Sequence, residues 1–188
     1  KSIIDPEFGR LVRARSRLGS KAPGYAAQVF GLPLVETTRT DTMATDGKSM
    51  FWNRTFVQNT TDAELEAVVL HEGLHVTFMH PLLRGDIDPD LWNQACDYAV
   101  NLVVFDAGLA LPEGALLAHK FRGMSAKQIT KALSGSEQPQ STPQSAGGEG
   151  EPSEGGDAPS GGDGDQGAPS GAPKAPSHAG EVWDQTDD

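Results

Sequence analysis

The chain has 188 residues, 37% of them hydrophobic, and a formal net charge of −11 from 26 acidic and 15 basic side chains. The charge is uneven: from Gly135 onward eleven acids (beginning with Glu137 and ending with Asp188) face one base, Lys174, which leaves residues 1–134 nearly neutral. Neither part offers the positive surface that nucleic acid requires, and no apolar run is long enough to span a membrane.

The single cysteine, Cys96, has no internal disulfide partner and fits a reducing, cytoplasmic interior; no signal peptide is visible. The chain opens at Lys1 without a methionine, as a processed or cloned fragment would. Residues 1–134 suit one small domain. Residues 135–188, rich in Gly, Pro, Ser and acids, read as a disordered linker, because they offer too little apolar surface to offset ordering entropy.

In chain order, residues 6–20 place Phe8, Leu11, Val12, Arg15 and Leu18 at helical spacing, with Gly19 as a stop. Two segments rich in β-branched and aromatic residues, near 33–38 and 49–57, predict strands. Asp46-Gly47 between them is a strong turn pair, so the two strands are expected to pair antiparallel. Such an edge beside a metal site can receive an extended substrate as an added strand.

Thr61 with Glu64 three residues later forms a capping box that starts the next helix. That helix carries His71-Glu72-Gly73-Leu74-His75. Residues four apart lie about 40° apart around a helix axis, so His71 and His75 project side by side and can share one Zn²⁺. Glu72 falls off that face, where it can act as general base on a metal-activated water. Gly73 costs about 1 kcal/mol of helix propensity, or lets another segment approach closely.

A loop containing Pro81, Gly85 and Pro89 leads to a second, apolar helix over about Asp90–Ala107, closed by Gly108. A last helix is expected over 124–134, with Ser125 as its cap.

A zinc hydrolase needs a third protein ligand and an open position. Asp97 is the stronger candidate, because an unpaired carboxylate in an apolar helix would be costly to bury. Asn101, one turn later, can hydrogen-bond a ligand. His80 is the alternative. With no breaker in Val76–Met79 the helix is expected to run on, which points His80 about 180° from His71. It would then hold the loop through Arg84 or a backbone carbonyl.

The pattern "TDG…FWN…LHEGLHVTFMH…R…D…LWNQACDYAVN…AGLALPEG" resembles the bacterial and phage putative metallopeptidase domain that commonly precedes a von Willebrand A-like domain. The likeness covers roughly residues 8–134, and "WNQACDYAVN" followed by "LPEG" is its most specific piece. It implies an α+β, zincin-like domain in which the HExxH helix and a second ligand helix pack on a short antiparallel sheet. His71, Glu72 and His75 match the family's signature positions, and His80, Asp97 and Asn101 fall on its other recurring polar positions. Members usually continue past an acidic stretch into the second domain, of which "HAGEVWDQTDD" looks like the start.

The leading expectation is a zinc-dependent metallopeptidase that hydrolyses peptide bonds in a protein or peptide substrate. Its site is His71, His75 and Asp97 on the metal, with Glu72 as base. The alternative is a non-catalytic zinc-folded module whose acidic tail recruits a partner. A third reading has no metal, with His71, His75 and Asp97 bonded to one another.

Overall fold

The computed structural model describes residues 5–135 and the backbone of residues 181–182. Helix α1 (Pro6–Lys21) is started by Asp5, whose carboxylate accepts from the Glu7 and Phe8 amides. Leu11, Ala14 and Leu18 form its buried stripe, while Phe8 and Val12, expected on that face, are exposed. Helix α2 (Pro23–Gly31), to which the sequence reading assigned no element, begins with proline at its first position, where the missing N–H costs nothing.

Strands β1 (Leu34–Glu36), β2 (Met43–Thr45) and β3 (Met50–Trp52) follow, and Glu181–Val182 add β4; the sheet order is β1-β3-β2-β4. This corrects the expected sheet. The two predicted strands do pair, but in parallel, with Val35 opposite Phe51. The Asp46-Gly47 turn joins β3 instead to β2, which went unpredicted, and that pair is the antiparallel one. β4 lies parallel to β2, so the sheet is mixed. A tight turn dictates pairing only for the strand that immediately precedes it.

The second predicted strand also ends early. Asn53 accepts a hydrogen bond from the Phe56 amide at 3.2 Å and starts helix α3 (Arg54–Asn59), overriding the β propensity of Thr55, Phe56 and Val57.

Helix α4 (Asp62–Thr77) starts at the expected Thr61–Glu64 capping box. Every residue from Leu65 to His75 is buried, so this is a central helix enclosed by α1, α2, β2 and α6. At Gly73 an added Cβ would lie 2.4 Å from Val29 Cγ2, so the glycine is what lets α2 pack this closely. The main core gathers around α4, including Leu11, Val29, Met43, Leu65, Leu74 and Val100. Each such side chain contributes about 1.5–3 kcal/mol on burial.

The expectation that α4 runs straight past His80 is overturned. It ends at Thr77, Met79 turns left-handed (φ 55°), and α5 (His80–Leu83) begins a new direction. The breaker is Pro81: in a continuous helix its ring would clash with the carbonyl of Thr77, four residues earlier.

Helix α6 (Pro89–Asp106) is capped by Asp88 and closed by Gly108 at φ 72°. Helix α7 (Ala126–Gly135) packs on α6 through Leu102, Phe121 and Ile129. The Ser125 hydroxyl accepts from the Gln128 amide at its start. The fold is α+β, and among the described residues no helix is long and apolar enough to cross a membrane. The predicted disordered linker lies outside the described residues, apart from Gly135 and β4.

Candidate metal centre

Helices α4 and α6 bring three of the sequence-predicted residues to one point. His71 and His75 Nε2 lie 2.8 Å apart, and Asp97 Oδ1 stands 3.4 Å from each. Ligand atoms around a tetrahedral zinc, at about 2.0–2.1 Å from the ion, stand roughly 3.3 Å apart, so this triangle closes on a metal with a small opening of the histidine pair. Asp97 Oδ1 is buried without a hydrogen-bond partner, an orphan that a cation between the three atoms would satisfy. The three residues fit a metal.

Both histidines are held from behind. His71 Nδ1–H donates to Asn101 Oδ1 at 2.8 Å, while the Asn101 amide NH₂ donates to the Leu116 carbonyl at 3.0 Å. The second bond fixes which end of the amide faces His71, and the first leaves the His71 Nε2 lone pair free for an ion. The hydrogen bond expected of Asn101 is made to His71. His75 Nδ1 faces His80 Nδ1 at 3.2 Å. His80 thus sits on the side of His75 away from His71 and Asp97. Its backbone carbonyl accepts from Trp92 Nε1 at 3.2 Å, whereas Arg84 donates to the Ile87 carbonyl.

Electrostatics separates the groups. Burial pushes the His71 imidazolium down, but Asp97 and Glu72, together with Asn101, outweigh it and hold His71 above its ordinary value. His75 drops to about 4, through burial and the charge of His71; His80 drops to about 3, through burial and both other histidines. Burial raises Asp97, but the His71 and His75 rings beside it carry it below the usual carboxylate range. Glu72 is fully buried.

A second group, His75, His80 and Cys96, is also close enough to hold a metal ion. The His71, His75 and Asp97 group is the better site, because it contains the orphaned Asp97 oxygen and because His71 and Asp97 line a cavity.

A cavity of about 580 Å³ reaches this site, lined at its inner end by His71, Asp97 and Asn101. Its other walls come from Asp41, Thr42 and Asn53 beside the sheet, and from the Leu111–Leu116 loop. The sequence reading singled out none of these as site residues. Asp41 and Thr42 lie in a segment with no periodicity, while Asn53 and the loop entered only through the "FWN" and "LPEG" pieces of the family pattern. Glu72 is not among the lining residues.

A family model described as a putative metallopeptidase domain matches residues 7–186 of the chain. No curated protein and no solved structure matches it.

Proposed function

The chain belongs to the family of putative metallopeptidase domains, and from that premise we propose that it is a zinc-dependent, zincin-like peptidase. One observation carries the reading: two histidine nitrogens and an orphaned carboxylate oxygen converge at the inner end of a cavity. His71, His75 and Asp97 would hold the metal. When bound, the ion supplies Lewis acidity, lowering the pKa of water and polarising the peptide carbonyl.

Glu72 takes the proton from the attacking water and hands it to the leaving amine. Support for this role is its place beside His71 on α4 and the pull of its charge on that ring. Asn101 keeps the His71 ring turned so that Nε2 faces the site. Among the described residues Asp41 and Glu113 line the cavity and no lysine or arginine does, which favours a substrate with a basic side chain beside the scissile bond.

Glu72→Gln keeps size and hydrogen bonding but removes the proton acceptor. It should bind one equivalent of zinc and lose about 10²–10⁴-fold in hydrolysis of a peptide library. His71→Ala should lose stoichiometric zinc altogether, read by metal analysis. The second reading, a non-catalytic zinc-folded module, is favoured by the complete burial of Glu72 and its absence from the cavity lining. Zinc binding with no hydrolysis by the wild type decides for the module, whereas unchanged hydrolysis by Glu72→Gln overturns the general-base role of Glu72.

A further inference from the structure

We propose that His80 is a positioning residue for His75, accepting a hydrogen bond from its Nδ1–H when metal is held and donating one to Nδ1 when it is not. The inference rests on the metal-centre reading above and extends it to a residue outside the ligand set.

The placement is built, not incidental. The break at Thr77, the left-handed Met79 and Pro81 turn the chain so that the His80 ring comes back beneath His75. The two rings meet edge-on, with centroids 5.1 Å apart and planes at 75°, which aims one Nδ1 at the other. Trp92 fixes the far side: its ring packs edge-on against His80 at 5.8 Å, and its Nε1–H donates to the His80 carbonyl. All three residues are buried.

At a pH above the raised His71 value all three rings are neutral, and the direction of the bond then follows from counting their protons. Asn101 Oδ1 accepts from His71 Nδ1–H, so neutral His71 has only a lone pair at Nε2. Without metal, the 2.8 Å contact between the two Nε2 atoms is a hydrogen bond only if His75 Nε2 carries the proton. His75 Nδ1 is then an acceptor, and His80 Nδ1–H must donate to it. A metal ligand needs the His75 Nε2 lone pair, which moves the His75 proton to Nδ1. His80 Nδ1 must then accept, with its own proton on Nε2.

Each ring keeps one proton throughout, so only the tautomers change. A carboxylate in place of His80 could only accept, and an ammonium could only donate. An imidazole serves both states from one atom without moving. Outer partners of this kind fix the ring orientation of metal-ligating histidines.

Two measurements on the protein test this. In the first, long-range ¹H–¹⁵N spectra of histidine-labelled wild type are recorded at a pH where His71 is neutral, free of metal and after adding zinc. The expected result is a shift of the His80 proton from Nδ1 to Nε2, and of the His75 proton from Nε2 to Nδ1. A His80 tautomer unchanged by zinc overturns the proposal.

In the second, zinc affinity is measured by competition with a chromophoric chelator. His80→Phe, which fills the space without a polar atom, should bind zinc about 10–100-fold more weakly. His80→Gln, whose amide can turn to accept or donate, should recover most of that loss. A purely space-filling role predicts the reverse order, and wild-type affinity in His80→Phe overturns the positioning role while leaving the metal site standing. Failure of the wild type to bind zinc overturns both.

Discussion

The two walls of the cavity are built on different principles. On one side α4 and α6 present His71, Asp97 and Asn101 from long helices, with His75 one turn on from His71, and spacing along the chain fixes spacing in space. On the other side Asp41, Thr42 and Asn53 flank strands only three residues long, whose positions depend on pairing with distant segments. In the proposed function the helical wall carries the metal, and a metal site tolerates little positional error. The sheet wall is free to shape what enters.

The largest way to break the helical wall, short of removing a ligand, is to fill the gap at Gly73. Alanine there gains about 1 kcal/mol of helix propensity. Its Cβ would press on Val29 Cγ2 at 2.4 Å, and Val29 is fully buried and stiff at its branched Cβ. Overpacking of this kind costs about 1–3 kcal/mol, so Gly73→Ala should be less stable in urea unfolding. Adding Val29→Ala should recover part of the loss in a double-mutant cycle. A stabilised Gly73→Ala would mean that α2 does not press on α4.

The same contrast decides what was legible in the sequence. Thr61, Glu64 and the histidine pair interact within one helix, so α4 and the pairing of His71 with His75 could be read directly. Asp97 was legible because a lone acid in an apolar helix needs a partner. The direction of His80 was not legible from Val76–Met79 alone, since the breaker is Pro81, whose effect reaches four residues back. Pairing β1 with β3 in parallel depends on the path of residues 37–42, about which propensity is silent. The left-out strand β2 is "MAT", which has almost no strand signature of its own.

A middling effect is expected at the turn that sets the antiparallel part of the sheet. Gly47 adopts φ 85°, and Asp46 Oδ1 accepts from the Lys48 and Ser49 amides at 2.8 and 2.7 Å. Gly47→Ala forces a side chain into that left-handed conformation and should cost about 1 kcal/mol. Zinc stoichiometry should stay at the wild-type value, because no ligand comes from this wall. Loss of zinc alongside stability would show that the two walls are more tightly coupled than their contacts imply.

The smallest effect concerns the ion cluster that ties helices to sheet. Arg54, the first residue of α3, pairs with Asp5 at the start of α1, with Glu7, and with Glu36 on β1, at 2.9, 2.9 and 2.6 Å. The Arg54 guanidinium holds the Asp5 and Glu36 carboxyls below their ordinary values of 3.8 and 4.5. Carboxyls with lowered folded-state pKa values stabilise the fold above their unfolded values, and that contribution fades as pH falls through the folded ones. It should therefore be complete above about pH 5 and lost progressively below about pH 4. The groups are exposed, so screening keeps the effect small and salt should shrink it. Arg54→Met should lower Tm slightly at neutral pH, and its Tm should fall less steeply than that of the wild type on acidification between about pH 5 and pH 3. Parallel Tm curves for the two proteins would show that the cluster contributes nothing to joining the walls. Convergence at low pH would show that its charge, not its bulk, does so.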